Sequence, residues 1–172
     1  MRNLLSTSTT YLSGMNTYLL KLGPDNLGKR YSKPFDRKVA SSLPGLSARL
    51  RLQDMASMAA EAITTVLSKQ LDASLQIINI AGGPSTDSLN LLVLLKRKNP
   101  ESLDGRVITI RVLDLENAAP VFAGRALEAL KSLDGPLYGL NASLEYVPYD
   151  WREAQLLGDW LRHQISTGVS WL

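Results

Sequence analysis

The chain has 172 residues, 45% apolar and 20% charged, with a net charge of +3, which suits one soluble globular domain, or one such domain with an extra N-terminal segment. It contains no cysteine, which excludes disulfides, thiolate nucleophiles and cysteine metal sites and fits a reducing, cytoplasmic setting. No apolar run approaches the ~18 residues of a membrane-spanning helix, so no membrane partner is expected.

The charge is unevenly placed. Residues 1–52 hold nine Lys/Arg against two Asp/Glu, whereas residues 53–172 hold ten against fourteen. A basic segment with Lys29, Arg30, Lys33, Arg37, Lys38, Arg49 and Arg51 can favour an anionic partner such as RNA, a nucleotide or an acidic substrate. Aromatic residues are sparse there (Tyr31 and Phe35) and no nucleic-acid motif is present, so a plain solvated surface, or a segment covering the acidic side of its own domain, is the stronger reading. The opening MRNLLSTSTTYLSGM is interrupted by Ser and Thr too often for a secretory core, and its lack of acidic residues leaves a targeting peptide open.

Residues 1–42 have weak periodicity, with Leu4, Leu5, Tyr11, Leu12, Tyr18, Leu19 and Leu20 suggesting one or two short helices. Gly23-Pro24 stops them, and Gly28 to Pro34 reads as a loop inside a candidate linker from Gly23 to Gly45. From Leu46 to Leu71 the pattern is helical. Met55, Met58, Ala59, Ala62, Ile63, Val66, Leu67 and Leu71 recur at spacings of three and four, and the two methionines read as core filling. The predicted division is therefore a helical, basic segment over 1–72 and a sheet-bearing domain over 73–172.

Leu75, Ile77, Ile78 and Ile80 then form a short apolar run suited to a strand buried on both faces of a parallel sheet. Ala81, Gly82, Gly83 and Pro84 break it, and Ser85, Thr86 or Asp87 can cap a helix that ends in Lys96, Arg97, Lys98, Asn99 and Pro100. A second strand is predicted over Val107 to Leu113. Its helix follows, with Asn117 or Ala118 near the cap, Pro120 in the first turn and Gly135-Pro136 beyond its end. Ser143 to Val147 reads as a third strand, and about Trp151 to Arg162 as a final helix. This alternation predicts an α/β fold, three parallel strands joined by right-handed crossovers between helical layers. A sheet so small exposes an edge unless a partner covers it, which leaves room for a homo-oligomer.

In such sheets ligands bind at the carboxyl ends of the strands. Backbone N–H groups of the glycine turn and the helix start behind it can hold a carboxylate or phosphate, although a tight βα turn uses glycine for its own sake as well. Asp114, at the end of the second strand and 31 positions beyond Gly83, can accept both hydroxyls of a ribose, or can cap the next helix. Asp150, between Tyr149 and Trp151, can accept from an exocyclic amine while a ring covers a base face, or can itself be a cap. Strands ending in Gly-Gly, Asp and Asp thus set three complementary groups along one crevice.

On these residues, the stretch from about 74 to 163 resembles the N-terminal half of a class I S-adenosylmethionine-dependent methyltransferase, a Rossmann-like domain. In that family the first strand ends in an acid followed by a G-x-G type turn, and Asn79, Ala81, Gly83 and Ser85 occupy those places here. Asn79 stands for the usual acid, Ala81 for the first glycine and Ser85 for the last, while Gly82-Gly83-Pro84 keeps the turn open. The resemblance implies that Asp114 binds the ribose, that Asp150 contacts adenine, and that Leu115 and Trp151 flank the base. It implies S-adenosylmethionine as cofactor and methyl transfer to a small-molecule acceptor. The family's fourth and later strands have no counterpart before Leu172, so the chain is expected to be a truncated, cofactor-binding half. No catalytic residue and no metal site is indicated, and His163, the sole histidine, reads as an ordinary helix-end residue. Two other classes share parts of this pattern. A nicotinamide-dependent oxidoreductase would need glycines where Ser85 and Ser88 stand. A non-catalytic remnant would keep the fold without turnover.

Overall fold

In the computed structural model, residues 21–29, 33–70 and 73–166 are described, so the expected helices around Leu4 to Leu20 lie outside the described residues. Among the described residues the fold is mixed α/β, with five α-helices and a three-stranded parallel sheet, the class expected of a Rossmann-like domain. The elements run α1 (Pro34–Ala40), α2 (Leu43–Leu67), β1 (Leu75–Ile80), α3 (Thr86–Lys98), β2 (Ile108–Asp114), α4 (Ala118–Lys131), β3 (Ala142–Pro148) and α5 (Ala154–Ser166). The chain divides into two compact units, Met1–Gln53 and Asp54–Leu172. The boundary falls within α2, so the second part of that helix belongs to the unit that holds the sheet.

In the first unit, α1 occupies part of the stretch expected to be a linker. Pro34 supplies a pre-set φ at its first turn, Asp36 accepts the Lys33 main-chain N–H at 3.3 Å, and Arg37 and Lys38 lie in its last turn. Arg49 of α2 donates to Ala40 O at 2.8 Å, which satisfies a carbonyl at the end of α1. A Cβ at Gly45 would lie 3.0 Å from that same oxygen, so the absence of a side chain lets the two helices approach.

In the second unit, β2 is central and pairs in parallel with both neighbours, in the strand order β1-β2-β3. Side chains alternate across the sheet. Leu75, Ile108 and Ala142 share one row, Ile77, Ile110 and Leu144 the next, and Asn79, Val112 and Tyr146 the third. The apolar members of these rows join Leu89, Leu92 and Leu95 of α3, Leu127 of α4 and Ala60 and Leu67 of α2 in one core cluster. Burying each large aliphatic side chain there contributes about 1.5–3 kcal/mol. The opposite face is more polar. There Arg111 donates to Glu145 at 2.8 Å and to Gln76 from neighbouring strands, with its guanidinium carbon 6.0 Å from the ring centre of Trp160 on α5.

The buried phase of α2 differs from the expected one. Leu67 is fully buried, and the steps back from it at three and four residues reach Ile63, Ala60, Ala56 and Leu52. Met58 lies half a turn away from that stripe, so Met55 and Met58 are exposed and do not fill the core. The phase is held by Arg106, a buried residue before β2. Its guanidinium donates to Gln70 O at 2.9 Å, Leu67 O at 3.4 Å and Ser102 O at 3.0 Å, and also to Ala73 O. One cation thereby satisfies carbonyls around the end of α2 and ties them to the entry of β1.

Candidate functional site

Three strands that end at the same level make a continuous carboxyl edge. Ile80 stands beside Leu113, and Asp114 beside Pro148. The main chain continues to link them beyond the strands, since Ala81 N–H donates to Leu113 O at 2.7 Å and Tyr149 N–H to Asp114 O at 3.0 Å. The turns that follow the three strands therefore leave the sheet side by side.

The turn after β1 is unusually constrained. Ala81, Gly83 and Ser85 all have φ near +50°, the left-handed region that L side chains rarely adopt. Ser85 N–H closes the turn onto Gly82 O at 2.9 Å. A Cβ at Gly82 would collide with Cβ of Asn79, so glycine is required there for space and not for its φ. The nearest atom to a Cβ at Gly83 is Ala119 Cβ at 4.0 Å, so that position is open. Pro84 is buried beneath the turn.

Asn79 explains much of this shape. It occupies the third row on the helix-packed face, and its amide NH₂ donates to Ser85 Oγ and, at 2.7 Å, to Ser88 Oγ. Both serines are buried. Ser85 thus stands at the head of α3 as expected but makes no side-chain cap bond, because its hydroxyl is engaged with Asn79. Sequence reasoning missed this network. The signal was the period of two, which puts Asn79 on the face that α3 covers.

Asp114 and Gly83 meet directly. The Gly83 N–H donates to Asp114 Oδ2 at 2.9 Å, across 31 positions of sequence. The other carboxylate oxygen accepts only a long contact, 3.4 Å from Glu116 N. Gly82 N–H has no partner among the described residues. A bare turn with an open donor thus lies beside a carboxylate with one oxygen free to accept.

Asp150 follows one residue behind Tyr149 on the same edge. It does not cap α5 but forms a fork with Arg152, which donates through Nε at 2.9 Å to Oδ1 and through Nη2 to Oδ2, with the Arg152 main-chain N–H adding a bond of 3.0 Å. Large apolar side chains are left exposed at the ends of all three strands, Ile80 at 48%, Leu115 at 62% and Trp151 at 71%. Trp151 stands ahead of α5, which starts at Ala154 and not at Trp151. No group of three or more His, Asp or Glu gathers at metal-binding distance among the described residues.

No family model matches the chain, and no curated protein or solved structure is similar to it at a significant level. The site is read from its own geometry and chemistry.

Two outcomes follow from this geometry. Gly82→Ala should cost about 1–3 kcal/mol in urea denaturation, through overpacking against Asn79. Gly124→Ala, in the middle of α4 with nothing near its added Cβ, should instead stabilise by roughly 0.5–1 kcal/mol. The side-chain hydrogen bond from Arg152, then its main-chain N–H, hold the Asp150 carboxyl down from its ordinary 3.8 to about 2. A carboxyl lowered in the folded state stabilises fully above its unfolded value, and that stabilisation fades as pH falls through about 2. Carboxyl-carbon NMR should therefore show Asp150 titrating near 2, and Arg152→Ala should return the midpoint toward 3.8. A midpoint unmoved by the substitution would contradict the pairing.

Proposed function

We propose that this chain binds S-adenosylmethionine across the carboxyl edge of its sheet and serves methyl transfer to a small acceptor. The observation that carries the reading is the Gly83–Asp114 hydrogen bond, which brings the side-chain-free turn and the candidate ribose acceptor to one place. Its support includes the three side-by-side strand ends, the open N–H of Gly82 and the exposed Leu115 and Trp151, between which a base can lie. The resemblance to class I methyltransferases assigns the same residues to the same parts of the cofactor.

When bound, the cofactor supplies a methyl group already activated on a sulfonium. The protein's work is then positioning. Gly82 and Gly83 would admit the amino-acid end against the open Gly82 main-chain N–H, where the head of α3 adds a favourable partial charge for a carboxylate. Asp114 accepts from the ribose hydroxyls through the oxygen that Gly83 leaves free. Trp151 and Leu115 exclude water from the base. Holding the reacting atoms in alignment can supply up to ~7–11 kcal/mol of a barrier.

A dinucleotide reading is weakened by the same structure. The fingerprint positions filled by Ser85 and Ser88 are buried and hydrogen-bonded to Asn79, so their hydroxyls hold the turn together. A binding module without turnover is favoured by one observation, the engagement of Asn79 with those serines, which takes it away from the edge.

Calorimetry with S-adenosylhomocysteine should show one site, and NADH should show none. Asp114→Asn keeps an acceptor for Gly83 but replaces the oxygen left for the ribose with an NH₂ donor, so affinity should fall about tenfold or more. Absence of S-adenosylhomocysteine binding by the folded protein would refute the reading.

A further inference from the structure

The fork between Asp150 and Arg152 has a feature that simple ion pairing does not use up. Arg152 directs its main-chain N–H, Nε–H and one Nη2–H at the carboxylate, with Nε shared between both oxygens. A carboxylate has about four acceptor sites and a guanidinium five N–H donors. Three hydrogens thus stand against about four acceptor sites on Asp150, the Nε–H being divided between the two oxygens, and three guanidinium donors on Arg152 are not used by the pair. The Asp150 side chain is 20% exposed and the Arg152 side chain 76%, so the acidic member sits at the surface of the edge and the basic member stands over it in the open. Tyr149 N–H, bonded to Asp114 O, fixes this pair to the edge that carries the candidate ribose acceptor.

An acceptor beside a donor is the complement of one base edge. Adenine presents an amine donor at N6 and a lone pair at N1, adjacent to each other. Guanine and hypoxanthine present the reverse, an oxygen acceptor at C6 and an N1–H donor. We infer that Arg152 is a specificity-determining residue, donating to adenine N1 while Asp150 accepts from the N6 amine. The inference rests on the adenosyl-binding reading above and extends it to a residue that reading does not use. It also gives the ion pair a role suited to its exposure, since an exposed pair of this kind contributes little to stability.

The test is a cycle between protein and ligand, read by calorimetry on the full chain. The ligands are S-adenosylhomocysteine and its 1-deaza analogue, in which N1 is replaced by C–H and nothing else changes. Wild type should bind the analogue about tenfold or more weakly, the loss expected when a hydrogen bond to a charged donor is removed. Arg152→Ala should bind both ligands alike, with the affinity of the wild type for the analogue. Arg152→Lys keeps the charge and lacks the planar fork, so it should recover only part of the discrimination. Circular dichroism should show all variants folded, as expected for an exposed side chain. Equal binding of the two ligands by wild type would overturn the role of Arg152 while leaving adenosyl binding intact, as would discrimination that survives in Arg152→Ala. Failure of wild type to bind either ligand would overturn both the inference and the reading beneath it.

Discussion

Asp114 joins all three strand ends. Its side chain accepts the Gly83 N–H of the turn after β1, and its main-chain carbonyl accepts the Tyr149 N–H of the segment after β3. A single residue at the end of the central strand therefore sets the spacing of both flanking turns. Because β2 is paired in register on both sides, Asp114 has little freedom to move without disturbing its neighbours. Its carboxylate is thus placed by the sheet, and one oxygen carries only the long contact from Glu116 N–H. Preorganisation of this kind spares a binding site the cost of ordering its own groups.

The turn beside it stores strain. Two non-glycine residues, Ala81 and Ser85, sit in left-handed backbone, a conformation that costs of order 1–3 kcal/mol each. What holds them there is visible. Asn79 fills the space next to Gly82, its amide grips Ser85 and Ser88, and the surrounding core buries both serines. Residues at the turn have in this way been used to fix a shape that leaves the Gly82 main-chain N–H open at the sheet edge.

Much of this was legible in the sequence. The β-branched runs gave β1, β2 and β3 to within a residue or two, and Lys96, Arg97, Lys98 and Pro100 marked the end of α3. The adjacency of Gly83 and Asp114 followed from two parallel strands ending together. Other features needed tertiary context. The period of α2 was plain, but its phase was not, because Met55/Met58, three apart, and Ala56/Ala60, four apart, both fit a helical repeat and only packing against Leu75 and its neighbours chooses between them. The helix Pro34–Ala40 carries a proline start that also reads as a loop. Arg106 gave no signal, since its partners are main-chain carbonyls invisible in a sequence. The pairing of Asp150 with Arg152 gave no signal, since two side chains two positions apart in a loop have no geometry fixed by spacing.

In the proposed function one ligand touches all three strand ends at once. Titrating the ¹⁵N-labelled chain with S-adenosylhomocysteine and following its amide resonances tests this directly. Shifts should saturate together at Gly82, Gly83, Leu115 and Trp151, with α2 and the polar face of the sheet around Arg111 unmoved. Shifts confined to one of the turns, or centred away from the carboxyl edge, would contradict it.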